Sequence, residues 1–253
     1  MAPDPGYDAA FFRYVNATAT ESARAILPLL LEGLRPTSVL DVGCGQGAWL
    51  AVWRELGVTD TRGLDGDYVD RTRLLVPPQT FTAHDLATPF DLGRRFGLVE
   101  CLEVAEHLPP AAAAPLVAAL TRHADLVFFS AAPPGQGGHD HRNERSYDAW
   151  RADFAARGFV ALDCIRPRIR GDARIAPWYR YNPLLYVREQ ALSGLPESLR
   201  STVLPAGSPV PDLSPLAYRL RKQVVRRLPV PVMTALARAK ERLERSRHPP
   251  LPG

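Results

Sequence analysis

The segment Asp41-Val42-Gly43-Cys44-Gly45-Gln46-Gly47 carries the densest chemical signal in the chain. It follows an apolar run at residues 38–40 and leads into Trp49, Leu50, Val52 and Trp53 at helical spacing. Glycines let a backbone turn sharply and approach a ligand closely, and a helix starting just beyond them offers unpaired N–H groups to an anionic end. The spacing departs from the dinucleotide fingerprint G-x-G-x-x-G, because Ala48 stands where its third glycine would lie. An aspartate beside the first glycine repels a pyrophosphate but accepts from an ammonium. The loop therefore favours a cofactor bearing an amino acid over a nicotinamide dinucleotide, which counts against a dehydrogenase. Asp65 and Asp85 each end a later short expected strand. A carboxylate at the first of these positions suits a pair of ribose hydroxyls, and one at the second suits an adenine amino group. Three acids at successive strand ends match the rule that open α/β sheets bind ligands at their carboxyl edge.

A second constellation is Glu103-Val104-Ala105-Glu106-His107. On a helical turn Glu103, Glu106 and His107 stand at i, i+3 and i+4 and share one face. Two converging carboxylates and an imidazole suggest a divalent cation, with Mg²⁺ or Mn²⁺ favoured by oxygen-rich ligation. A Gly- and His-rich loop at 133–144 offers His141 as a further ligand, with His139 as second choice. A metal-free reading stays open beside it, in which His107 or His141, aided by Glu106, is a general base toward an acceptor.

These residues need elements to hold them. Helices are expected at 7–15 and 20–34, then a strand, the glycine turn and a helix. Strands at 61–64, 80–83, 97–102 and 126–130 follow, with a helix at 110–122. A helix at 147–156 and strands at 159–163 and 183–187, the last two as a hairpin, complete seven strands. Alternating strands and helices imply a Rossmann-like, doubly wound, mainly parallel α/β sheet with helices on both faces. Residues 1–193 form this domain. Residues 194–215, rich in Pro, Gly and Ser, read as a linker, and 216–253 as a basic helical tail in which Ala217, Leu220, Val224 and Leu228, then Val232, Leu236, Ala239 and Leu243, fall at helical spacing.

Charge is unevenly spread. The chain of 253 residues has a net charge of +4 and a pI near 9.1. Arg219 to Arg247 holds ten basic residues against Glu241 and Glu244, which leaves 21 basic and 25 acidic residues before it. The body is mildly acidic and the pI belongs to the tail, so the overall pI is no argument for nucleic-acid binding. The tail is expected to pack on the body or on a second copy in a homodimer, or else to offer a basic surface to a polyanion or anionic lipid. No apolar run approaches the roughly 20 residues of a membrane span, and the first residues lack a basic-then-apolar leader, so a cytoplasmic protein is expected. Cys44, Cys101 and Cys164 read as small buried hydrophobes. Two lysines against heavy use of Arg, Ala and Pro suggest a GC-rich bacterial source.

On the glycine loop, the three strand-end aspartates and the E-x-x-E-H element, residues 7–187 resemble class I S-adenosylmethionine-dependent methyltransferases. The resemblance implies that Asp41, Gly43, Gly45, Asp65 and Asp85 contact S-adenosylmethionine, with Cys44, Gln46, Asp67, Leu86 and Leu102 as its neighbours. In E-x-x-E-H the chain is also similar to bacterial enzymes that methylate a terminal RNA 2′-hydroxyl and to ubiquinone-pathway O-methyltransferases. The RNA group carries an aromatic residue and a Glu just beyond its second histidine, where this chain has Arg142-Asn143-Glu144-Arg145. The elements EVAEHL and PGQGG further resemble bacterial methyltransferases of polysaccharide and natural-product clusters. The implied activity is O-methylation of a sugar, glycoside or related small molecule. RNA ribose methylation and an inactive scaffolding partner are the alternatives. Arg166, Arg168 and Arg170, with Trp178, Tyr179 and Tyr181, are expected to form a pocket for a phosphorylated or acidic sugar.

Overall fold

The computed structural model describes residues 9–138, 140–228 and 232, with side chains from residue 16 onward. The chain opens on α1 (Ala9–Leu31), a single helix where two were expected: Asn16 to Ala19 continue the helical path instead of breaking it. Residues 7 and 8 of the first expected helix lie outside the described residues. There follow β1 (Ser38–Val42), α2 (Ala48–Glu55), β2 (Asp60–Asp65), β3 (Phe81–Ala83), β4 (Leu98–Leu102), α3 (Ala113–His123) and β5 (Leu126–Ser130). Then come α4 (Tyr147–Ala155), β6 (Phe159–Leu162), α5 (Arg166–Ile169), α6 (Pro177–Tyr181), β7 (Leu184–Arg188), α7 (Glu197–Arg200) and α8 (Leu216–Val225).

The seven strands form one sheet in the order β3-β2-β1-β4-β5-β7-β6. The first five strands pair in parallel, and β7 lies antiparallel to both β5 and β6, as the expected hairpin requires. Strands buried on both faces need near-continuous apolar sequence, and β1, β4 and β5 supply it. One core layer joins the sheet to α1, α2, α5 and α6 through residues such as Ile26, Leu30, Trp53 and Ile169. The other joins it to α3 and α4 through Leu116, Leu120, Trp150 and Phe154. Because side chains alternate along a strand, Leu40 and Val42 face the second layer while Val39 and Asp41 face the first. The order reverses between β1 and β4, so the chain's topological switch point lies where the glycine turn leaves β1.

Residues 194–215 lie along the body. Val203 bridges to Leu162, Leu204 N–H donates to Ala161 O at 2.8 Å, and Val210 is buried. This covers the otherwise open edge of β6. The first tail helix forms as α8, whereas the second, expected near 232–243, lies outside the described residues apart from Val232. No helix among the described residues is long and apolar enough to cross a membrane. All three cysteines are free and buried.

Candidate active site

The glycine turn is built for close approach. Gly43, Gly45 and Gly47 have φ of +87°, +53° and +86°, where a side chain is strained. A Cβ on Gly43 would also meet Val104 at 2.2 Å, while one on Gly45 would meet nothing within 4 Å. The turn thus touches the loop after β4 on one side and leaves open space on the other. Asp65, at the end of β2, takes the Gly45 N–H on one oxygen at 2.6 Å and the Gly66 N–H and the Tyr68 hydroxyl on the other. Burial raises its pKa against these donors. Gln46 is buried; its oxygen accepts from Asn16 at 2.6 Å, and its Nε2 has no partner. A buried unpaired donor beside an open glycine turn calls for an acceptor there.

Asp41 is buried between its register partners Gly63 and Glu100. Burial pushes its carboxyl well above the usual range, and the charges of Glu100 and Asp65 push the same way. Glu100 is fully buried, with one oxygen accepting from Trp53 Nε1 at 2.9 Å and the other unpartnered, and burial raises its pKa to about 8. This acid was missed by sequence reasoning; its only signal was a glutamate in an otherwise apolar strand. The remaining residues expected near a cofactor are spread out. Cys44, Leu86 and Leu102 are buried, Asp85 is exposed with its carboxylate closing a turn onto Ala87 N–H, and Asp67 is exposed and ion-paired with Arg71.

The segment after β4 is a turn and not the expected helical face. Glu103 adopts φ +57°, which takes it out of a right-handed helix. Its side chain enters a buried amide network while staying beside Glu106: Gln136 Nε2 donates to it at 2.7 Å and Asn182 Nδ2 at 2.9 Å. Asn182 in turn accepts from the Tyr147 hydroxyl at 2.8 Å. Glu106, His107 and His141 do converge, with one potential ligand atom from each within 4.8 Å of the others; Glu103 is not among them. The rings of His107 and His141 meet edge to face at 4.9 Å. Burial raises the Glu106 carboxyl well above its ordinary range, and the nearby Glu103 raises it further. One of its oxygens is buried without a partner.

His141 is aimed from behind. Its Nδ1 lies 2.8 Å from Glu144, whose oxygens also take the N–H groups of Gly135 and Gly137 at 2.7 and 2.8 Å. Burial works to raise the Glu144 pKa, yet the bonds from His141 and the two glycines hold it below the ordinary value. A proton on Nδ1 directed at this carboxylate would leave Nε2 to accept. The Arg142 and Asn143 N–H groups both donate to Glu106 O, which fastens this loop to the β4 turn. Glu144 was read from sequence only as a departure from a family pattern; its spacing three residues after His141 was the available signal. His139 lies outside the described residues.

Most members of the expected Arg and aromatic pocket are instead used in holding the fold together, while Arg170 is exposed. Arg166 is fully buried, doubly bonded to Asp163 at 2.8 and 2.7 Å and to the carbonyls of Tyr181 and Pro211. Arg168 pairs with Glu32, and Tyr179 and Tyr181 are buried.

A family model for a methyltransferase domain matches residues 13–159. No curated protein matches the sequence. Among solved structures, the sugar N-methyltransferase KedS8 from Streptoalloteichus sp. is similar with 19% identity and a TM-score of 0.53, over 74% of this chain and 96% of that one. Magnesium protoporphyrin IX methyltransferase ChlM from Synechocystis with bound S-adenosylhomocysteine is similar with 20% identity and a TM-score of 0.51, over 70% and 87%. At these identities the likeness is one of fold.

Proposed function

This chain belongs to the methyltransferase-domain family, as a class I S-adenosylmethionine-dependent enzyme, and on that premise we propose that it O-methylates a hydroxyl of a sugar-containing small molecule. Bound S-adenosylmethionine supplies an electrophilic methyl on sulfonium. The open glycine turn, the unpaired Gln46 amide and Asp65 fit that cofactor: Gln46 offers a donor to its carboxylate, and Asp65 already takes one hydroxyl, from Tyr68, where ribose hydroxyls would compete. Asp41 would accept from the ammonium end, and Asp85 and Leu86 would hold the adenine.

The observation that carries hydroxyl activation is the convergence of Glu106, His107 and His141 beside the turn that touches Gly43. A hydroxyl needs a base or a Lewis acid to become nucleophilic at neutral pH. Glu106, His107 and His141 would hold a divalent cation, and such a cation would lower the pKa of a bound hydroxyl. Two imidazoles and one carboxylate favour Mn²⁺ over Mg²⁺. The Glu144–His141 bond supports a second reading, in which His141 Nε2 itself accepts the acceptor's proton. Names of structural relatives such as the sugar N-methyltransferase KedS8 point to a sugar acceptor, and the mildly acidic body argues against RNA.

The test is a calorimetric titration of Mn²⁺ into chelator-stripped protein loaded with S-adenosylhomocysteine, for the native chain and Glu106→Ala. One equivalent bound, and lost on substitution, establishes the metal-assisted form. No binding leaves the general-base form. In parallel, Asp65→Ala should abolish S-adenosylhomocysteine binding; unchanged affinity overturns the cofactor assignment.

A further inference from the structure

Arginines in the body are largely matched to acids, as Arg145 is to Asp153, Arg166 to Asp163 and Arg188 to Asp125. The inner face of α8 is different. Buried Lys222 and the exposed Arg219 and Arg226, the last capping α8, stand at i+3, i and i+7 and line an open cleft of about 420 Å³ whose opposite wall is Pro133, Pro134 and Tyr147. Lys222 is anchored by Asp212 at 2.5 Å, and Asp212 is held by the Ser214 hydroxyl at 2.6 Å. Neither the Arg219 nor the Arg226 guanidinium meets an acceptor among the described residues. The other acid on the wall, Asp148, already accepts the Val210 N–H at 3.0 Å.

The cavity is tied to the active site by a short piece of chain. Its proline wall runs directly into Gly135, where a Cβ would sit 2.1 Å from the Lys222 carbonyl oxygen, and Arg221 donates to Gln136 O at 2.9 Å. Gly135 and Gly137 hold Glu144, and a Cβ on Gly138 would fall 2.1 Å from His141 Nε2. Gly135 and Gly138 are three residues apart, at most about 11 Å of extended chain. Two guanidiniums seven residues apart on a helix are separated by about 10 Å along its axis, with an ammonium between them. That spread suits an anion charged at two centres better than a single carboxylate, and guanidinium forks match phosphoryl oxygens.

We propose that the α8 cavity binds the pyrophosphate of a nucleotide-linked sugar acceptor through Arg219 and Arg226, with Lys222 behind them. This rests on the sugar methyltransferase reading and names its substrate class. The test uses the full chain and inorganic pyrophosphate as probe, measured by calorimetry at low and moderate salt, with S-adenosylhomocysteine binding measured on the same preparations. Pyrophosphate should bind about tenfold or more tighter than orthophosphate, and the Arg219→Ala/Arg226→Ala double variant should lose at least about tenfold, as expected for two charge-assisted contacts. Arg226→Glu should lose more. Affinity for S-adenosylhomocysteine should stay unchanged in each variant, since both arginines lie outside the glycine turn. Equal pyrophosphate affinity in native and double variant overturns the proposal, as does binding of RNA through these arginines without pyrophosphate binding. Loss of cofactor binding by the native chain would instead sink the methyltransferase reading while leaving the pyrophosphate measurement legible.

Discussion

Glu100 gives a quantitative test of how the buried acids of β1 and β4 are balanced. Its side chain is fully buried beside Asp41, with Trp53 Nε1 on one oxygen, and burial moves its pKa from an ordinary 4.5 to about 8. Between those values the folded chain keeps a proton that the unfolded chain has released. The unfolded state then binds fewer protons, so stability falls as pH rises through this window and is best preserved below it. At about 1.4 kcal/mol for each pH unit, the loss between pH 5 and pH 8 is on the order of 3 kcal/mol. Glu100→Gln removes the ionisation and keeps the shape, an oxygen for Trp53 and a donor in place of the acid proton. Urea unfolding of the cofactor-free chain at pH 5, 6, 7 and 8 should show the native protein losing stability with pH and the variant losing less, since the raised carboxyls of Asp41, Asp65 and Glu106 remain in both. The two should lie close together at pH 5 and separate by about 3 kcal/mol at pH 8. Parallel pH profiles for native and variant would refute the reasoning, because they would mean that Glu100 ionises in the fold without cost.

Three further perturbations reach other parts of the structure. Arg166→Ala leaves Asp163 buried without its partner and should cost about 3–5 kcal/mol in denaturant unfolding; a loss under about 1 kcal/mol would show the pair to be dispensable. Gly135→Ala places a Cβ against the Lys222 carbonyl at φ +85° and should displace α8, seen as faster limited proteolysis after residue 201, whereas unchanged protection would mean that the loop shifts instead. Glu144→Gln weakens the hold on His141 Nδ1 and should lower kcat about 10- to 100-fold with S-adenosylhomocysteine affinity unchanged; equal kcat would remove Glu144 from the machinery.

The sheet was legible because its strands are short apolar runs ending in acids or glycines, and parallel sheets buried on both faces demand that pattern. The glycine turn was legible for the same local reason. The E-x-x-E-H turn was misread because i, i+3, i+4 spacing cannot reveal that Glu103 enters the left-handed region, and one positive φ was enough to send its carboxylate to Gln136 and Asn182. Arginine-rich sequence misled in a similar way: at 166–180 the guanidiniums found acids and carbonyls already within the fold, and only tertiary placement could say so.

The placement of α8 shows why charge patterning stops short of function. A count of ten basic residues after residue 218 describes a surface and suggests solvent or a polyanion as its neighbour. What redirects that charge is Gly135, a residue with no charge at all, because only a missing side chain lets the Lys222 backbone lie against the loop that holds Glu144 and His141. The cations at Arg219 and Arg226 are thereby brought to the cavity wall beside the active-site loop, while Leu216, Leu220 and Val224 face outward. If that contact sets the site, Gly135→Ala should weaken pyrophosphate binding and turnover together, although it touches neither. Turnover lost with pyrophosphate affinity intact would assign Gly135 to the His141 loop alone and separate the two halves of the site.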